Sequence, residues 1–395
     1  MPFRAACETE SDMKHLTYAM VGGARGSFIG PVHRMALRLD DLARLTAGCF
    51  SRNKVTNAAS AEKFSVDPSR VYHDWRSLIA AEAGKVDFLT ICTTNESHYE
   101  IAKAALEAGM DVFCEKPLSL SLAEAEELSS IARRRRRILG VPFTYVGFPM
   151  VKLARDLVRR GELGKIDKVV MEYSQGSFRK VDPAKALEFS RSWKLDPKVA
   201  GPSCVVADIG VHAFTLVEYV TGLETKSVLS DLSSFSANTK LEDDASILMR
   251  LGAAAGLPQA RKITAKAVLN VSKVATGEEN GVRLRVYGEK ASLYWDQESP
   301  NYLTVKYPFR PDAVYKRKAP YIADVSQSSV RSSRIPAGHH EGFIEALANI
   351  YCEFVAAVVS RRSCDFPGPR EGVRSMRFVE AVLESYRNSS AWTAL

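Results

Sequence analysis

From Leu16 onward the chain alternates short apolar runs with amphipathic stretches. LTYAMVGG reads as a strand that runs straight into glycines. IGPVHRMALRLD follows as a helix, with Ile29, Val32, Met35, Ala36 and Leu39 spaced for one face. LTAGCF is a second short strand, and VDFLTICTT is a nearly unbroken apolar run, as in strands buried on both faces of a sheet. SHYEIAKAALEAGM predicts a helix ending at Gly109, and DVFCEKP a strand stopped by Pro117. LSLAEAEELSSIARRRRR is a helix whose acidic start and basic end complement its dipole, and ILGVPFTY a further strand. Such alternation implies right-handed crossovers and an α/β, doubly wound parallel sheet.

Beyond Pro149 the rhythm changes. The helix MVKLARDLVRRGEL leads into KIDKVVMEYSQG, a longer alternating strand. SVLSDLSSF, ASILMRL, ARKITAKAVLNV, VRLRVYGEK, ASLYW and YLTVKY mostly alternate polar and apolar residues, the mark of an antiparallel sheet with one face covered. Helices are expected at 211–222, 341–360 and 373–385. The second half therefore reads as α+β, with a large open, mostly antiparallel sheet whose other face is free to pair with a second subunit.

Composition narrows the class. A length of 395 residues suits two domains by the rule of about 150 residues each, and 46% hydrophobic with 25% charged residues is globular. Seven scattered cysteines without a CxxC pair argue against a disulfide framework or a metal site and for reduced thiols in a cytoplasmic protein. No apolar stretch approaches the roughly 18 residues of a membrane span, and the N-terminus MPFRAACETESDMKH lacks the apolar core of a signal peptide. The net charge of +8 leaves nucleic acid, membrane headgroups or an anionic small molecule open. The arginine run 133–137 closes a helix and lacks surrounding aromatics, which disfavours nucleic acid.

Four motifs carry candidate chemistry. The first is Gly22, Gly23, Ala24, Arg25, Gly26, Ser27, Phe28, Ile29 and Gly30, joining the first strand to the first helix. Glycines there let the backbone approach a pyrophosphate that the helix N-terminus stabilises, although Ala24 and Ser27 interrupt the strict G-x-G-x-x-G spacing. After the second strand stand Ser51 and Arg52, with no acidic residue for the ribose hydroxyls; the pair suits a 2′-phosphate, so NADP is favoured over NAD. Arg52 facing solvent or stacking on adenine is the competing reading. Glu115 and Lys116 end a strand where open α/β sheets bind ligands, so Lys116 is either a surface charge or a cation aimed at substrate. Asp208 and His212, four apart at a helix start, share one face; an N-cap and a packed histidine is the plainer account.

Together GGARGSFIG with VHRMA, TTNESHYEIAKAALEAGMDVFCEKP, VADIGVHAF and ENGVRLRVYGEKASLYW resemble the glucose–fructose oxidoreductase, inositol dehydrogenase and MocA (Gfo/Idh/MocA) family over almost the whole chain. YVGFPM, YSQG, WKLDP and GHHEGF are similar to its branch of sugar and inositol-like dehydrogenases that includes levoglucosan dehydrogenase. The resemblance implies an N-terminal extension over 1–15, a Rossmann dinucleotide-binding domain over 16–149 and an α+β substrate and oligomerisation domain over 150–395, whose last helices pack back on the first. It also implies NAD or NADP, a homodimer or homotetramer through the C-terminal sheet, and a sugar- or polyol-like small molecule as partner, with no role for nucleic acid or membrane.

Carried over motif by motif, Lys116, Asp208 and His212 become the catalytic set, His212 as base and Lys116 as electrostatic partner. Thr93, Thr94, Asn95, His98 and Glu115 join the glycine turn, Ser51 and Arg52 around the cofactor, and Tyr145, Gln175 and Trp193 join the catalytic set around substrate. Thr94 departs from the branch's Thr-Pro-Asn, Lys273 stands where Gln is common, and His340 where Pro is. The function implied is hydride transfer between a nicotinamide and a secondary alcohol of a sugar, cyclitol or related polyol. Its alternatives are a non-sugar substrate such as a dihydrodiol or secondary-metabolite ketone, a redox-neutral cycle, and a non-catalytic nucleotide sensor.

Overall fold

The computed structural model describes residues 15–180, 193–236, 240–254, 256 and 262–395. The predicted N-terminal extension, apart from His15, and the first two residues of ARKITAKAVLNV lie outside the described residues. The chain divides into two compact units, one of residues up to Gly147 with Phe343–Arg374, the other of Phe148–Gly342 with Ser375–Leu395.

In the first unit β1 (Leu16–Gly22), β2 (Ala43–Cys49), β3 (Phe88–Cys92), β4 (Asp111–Cys114) and β5 (Leu139–Gly140) form a parallel sheet in the order β2-β1-β3-β4-β5. All five residues of β3 are buried, as an uninterrupted apolar run requires. Order reverses between β1 and β3, which puts a ligand crevice at their carboxyl ends. Beyond β2 a further strand survives as one parallel bridge, Gly48 to Val71, so the sequence shows no strand pattern there.

The connecting helices are α1 (Ile29–Leu39), α2 (Lys54–Phe64), α3 (Trp75–Glu82), α4 (His98–Glu107) and α5 (Leu122–Arg135). The α1 face differs from the sequence expectation. Gly30, Val32, His33, Ala36 and Leu37 are buried, while Met35 and Leu39 are 45% and 44% exposed. A hydrogen-bonded histidine takes the inward position that apolarity alone assigned to Met35. The α2 helix has hardly any apolar side and is set by its N-cap, Asn53, which accepts from the Thr56 N–H. A Ser121–Glu124 capping box starts α5, and Arg133, Arg134 and Arg135 close it. The run ILGVPFTY supports only the two strand residues of β5, because Pro142 has no N–H and Thr144–Gly147 coils into a 3₁₀ turn.

The long helix Phe343–Ser360 completes this unit. By length and composition it is apolar enough to cross a membrane, with mean hydropathy 1.6, which corrects the expectation that no stretch comes close. Here it is a core helix. Tyr351 stacks on Phe113 at 4.2 Å, and Phe354 meets Phe88 at 5.3 Å and Phe113 at 5.0 Å.

The second unit is built on a nine-stranded sheet in the order β13-β12-β11-β10-β6-β9-β8-β7-β14. In chain order these are β6 (Ile166–Ser174), β7 (Glu224–Ser233), β8 (Asp244–Gly252), β9 (Ile263–Ser272), β10 (Gly281–Gly288), β11 (Ser292–Asp296), β12 (Tyr302–Lys306), β13 (Ala313–Lys316) and β14 (Thr393–Ala394). All pairings are antiparallel except β6 with β9. Burial alternates along β8, where Ala245, Ile247, Met249 and Leu251 turn inward and Leu248 outward. The inward face meets α6 (Pro149–Arg159), α7 (Val211–Thr221) and the residues after Ser375 of the helix Pro369–Arg387, whose Phe378 stacks on Phe214 at 4.4 Å. A single wide π turn, Val206–Gly210, precedes α7.

Candidate active site

In the first unit the glycine motif forms the turn between β1 and α1. Gly22 has φ 79°, and a Cβ there would come 2.4 Å from the Cys92 carbonyl oxygen. A Cβ on Gly30 would lie 2.3 Å from the Gly23 Cα, so the helix packs against the turn backbone to backbone. No side chain caps α1 at Phe28, which is 78% exposed. Its first N–H groups are thus directed outward from an uncapped end, the arrangement that binds a phosphate. Arg25 and Ser27 are exposed on this turn; the Arg25 N–H donates to Ser60 Oγ at 3.1 Å and the Ser27 N–H to the Ala24 carbonyl at 3.0 Å. The cradle fits a dinucleotide pyrophosphate.

At the end of β2, Arg52 is exposed and Ser51 Oγ accepts from the Asn53 N–H at 3.1 Å. The buried Asn57, which sequence reasoning missed, holds this loop. Its Oδ1 accepts from the Phe50 and Ser51 N–H groups, and its Nδ2 donates to the Tyr72 carbonyl. Past β3, Thr93, Thr94 and Asn95 are half-buried; Thr93 Oγ1 accepts from Ser97 Oγ at 2.8 Å, and Thr94 Oγ1 donates to Glu96. His98 is fully buried. Its Nδ1 and Nε2 lie 2.8 Å and 3.1 Å from the carbonyls of Pro117 and Thr93, tying the loop after β3 to the loop after β4, and burial lowers its pKa.

Lys116 is half-buried immediately past β4, and its N–H donates to Glu115 Oε2 at 3.1 Å. Glu115 is itself buried, 2.8 Å from His33 Nε2, while His33 Nδ1 lies 2.6 Å from the Tyr351 hydroxyl. Burial pushes the Glu115 carboxyl up, but the bond from His33 and the charge of Lys116 outweigh it and hold it below the usual range. Tyr145 is only 3% exposed and packs edge-on against Phe343 at 6.1 Å.

In the second unit Asp208 sits in the π turn and His212 in the first turn of α7. Asp208 Oδ2 accepts from Lys273 Nζ at 2.6 Å and Lys194 Nζ at 3.1 Å. The His212 ring lies 6.5 Å from that of Tyr173. Tyr173 donates its hydroxyl to Asn280 Oδ1 at 2.8 Å, and Gln175 Nε2 donates to the same oxygen at 3.0 Å. Trp193 opens a short 3₁₀ turn, 39% exposed. The structure thus joins Gln175 to the surroundings of His212 through Tyr173 and Asn280. Both stood in motifs of the family resemblance, Tyr173 in YSQG and Asn280 in ENGVRLRVYGEKASLYW, but the resemblance alone did not assign either to the site.

The chain matches two family descriptions: "oxidoreductase family, NAD-binding Rossmann fold" over residues 16–143, and "GFO/IDH/MocA C-terminal domain" over 151–294. It is 33% identical over 393 residues to an uncharacterised oxidoreductase of Bacillus subtilis, covering 96% of each chain. It is 29% identical over 237 residues to a levoglucosan dehydrogenase of Pseudarthrobacter phenanthrenivorans, covering 58% of this chain and 57% of that one. The fold is similar to an inositol dehydrogenase homolog from Azotobacter vinelandii solved with NAD+, with a TM-score of 0.88 and 33% identity over 97% of this chain and 98% of that one. With its glycine turn, parallel sheet and open C-terminal sheet, this chain belongs to the Gfo/Idh/MocA family and is an oxidoreductase with an NAD-binding Rossmann domain.

Proposed function

We propose that this oxidoreductase transfers hydride between a nicotinamide dinucleotide and a secondary alcohol of a sugar, cyclitol or related polyol. The observation that carries the reading is a lysine at the end of β4 together with an acid–histidine pair opening α7, in a chain with levoglucosan- and inositol-dehydrogenase relatives. The turn from Gly22 to Ile29, with Ser51, Arg52, Thr93, Thr94, Asn95 and Lys116, would hold the dinucleotide, with His98 and Glu115 supporting it. The absence of an acidic residue after β2 favours NADP. The nicotinamide would supply the hydride acceptor or donor for the carbinol carbon of the substrate.

The chain's own residues handle the proton and the charge. His212 takes the hydroxyl proton, the general-base role that histidine most often fills. Asp208 aims that imidazole or accepts from a neighbouring hydroxyl. Lys116 holds the reacting oxygen and stabilises its developing negative charge. Gln175 and Tyr145 supply further polar contacts, and Trp193 offers an exposed ring face on which a sugar can stack.

The test is a panel of sugars and polyols with NAD and NADP, read at the reduced-nicotinamide absorbance. Turnover of at least one alcohol is expected, faster with NADP, and His212→Ala and Lys116→Ala should each lower kcat/KM by about 10²–10⁴-fold. Near-normal turnover in His212→Ala beside loss in Lys116→Ala would exchange the two roles. Cofactor binding with no turnover of any alcohol would sink the reading.

A further inference from the structure

Lys273 stands immediately after β9, its N–H donating to the Asp243 carbonyl and its carbonyl accepting from the Phe178 N–H, both at 2.9 Å. The side chain is 2% exposed. Its ammonium lies 2.6 Å from Asp208 Oδ2, 3.8 Å from Cys204 Sγ and 5.1 Å from the centre of the Phe178 ring. A lysine this deeply buried ordinarily sheds its proton. Here burial pulls the pKa down, but the charge of Asp208 and the hydrogen bond to it outweigh that and raise the pKa above the usual lysine value.

We propose that Lys273 is a positioning residue that acts through Asp208, fixing that carboxylate in one orientation and keeping it ionised. It thereby sets the acid limit of the reaction. The inference rests on the reading of Asp208 and His212 as reaction groups.

Asp208 receives two ammonium groups on one oxygen, and they are not equivalent. Lys194 is 46% exposed, so its charge is screened and its chain must be ordered at an entropic cost. Lys273 is clamped at the strand end by its own backbone bonds and is shielded from water. Among the described residues, the ionisable groups near the carboxylate also include Cys204, Glu242 and, one turn on, His212. Burial pushes the Cys204 thiol up to about 11, so it is neutral near pH 7. Burial also raises the Glu242 carboxyl, although Ser203 Oγ and the Cys204 and Val206 N–H groups donate to it. Among these groups, Lys273 supplies the buried, unscreened charge that favours an ionised Asp208.

Lys273→Gln keeps a donor and removes the charge. Its acid limb in the pH profile of kcat/KM should move up by about one unit, with kcat falling more than KM rises at the wild-type optimum. A second measurement needs no substrate. Lys273→Gln and Asp208→Asn should each lower Tm, and the double variant should lose less than the sum, since it leaves no uncompensated buried charge. An acid limb that stays put in Lys273→Gln, or losses in Tm that simply add, overturns the inference. Failure of the wild type to oxidise any alcohol instead defeats the functional reading beneath it.

Discussion

The buried relay behind Lys116 shows how single residues settle the state of a strand end. A carboxylate can only accept, so His33 Nε2 carries a proton toward Glu115, while its Nδ1 lies 2.6 Å from the Tyr351 hydroxyl. Replacing His33 by Phe leaves a buried carboxylate short of a donor, at a cost of about 2–3 kcal/mol near pH 7. The pH dependence follows from the lowered pKa of Glu115. In the wild type its contribution is present above the ordinary carboxylate pKa and is lost as pH falls through its lower folded value. In His33→Phe burial is less opposed, so acid relieves the variant. The gap in unfolding free energy, measured in urea at pH 7 and pH 4, should narrow on acidification; an equal gap at both would refute the relay.

At the scale of elements, the strand–turn–helix of β1 and α1 places backbone where other folds place side chains. A Cβ on Gly30 meets the Gly23 Cα and carbonyl group at under 3 Å, none of which can move without opening the turn. Gly30→Ala should therefore lose about 1–3 kcal/mol of stability and weaken dinucleotide binding by roughly tenfold or more. A fluorescence titration with NADH and NADPH measures the second effect, and unchanged affinity would mean that the turn relaxes freely. The same elements show where periodicity misleads. Spacing assigned Met35 and Leu39 inward, yet His33 takes the buried side of α1 because Glu115 and Tyr351 satisfy both of its nitrogens.

For the molecule as a whole, the first unit is assembled from two distant parts of the chain. Leu347, Ile350, Tyr351 and Phe354, all within 1% of complete burial, come from Phe343–Ser360 and fill its core against Phe88 and Phe113. A fragment of residues 15–147 lacks them and should not hold a fixed core: its near-UV circular dichroism should be flat and its amide NMR dispersion poor. A well-dispersed spectrum would show that the sheet and its connecting helices suffice. The net charge of +8 has a smaller part in the fold. Three of its arginines simply close α5, where a helix dipole favours cations in any case.

What the sequence by itself determined is what local chemistry dictates: a parallel sheet from unbroken apolar runs, an open sheet from alternation, and a glycine turn where backbone must approach a phosphate. Lys116, Asp208 and His212 were legible as candidates because motif and position coincide at element ends. Only the tertiary structure decided the partners of those groups. Lys273 lies 65 residues from Asp208, and Tyr351 lies 318 from His33. The strand reduced to the Gly48–Val71 bridge and the burial of Phe343–Ser360 were likewise invisible in local pattern. Periodicity reports which face of an element avoids water. Which charge meets which, across a distance set by topology, is decided by the burial cost that leaves no buried ion without its counterpart.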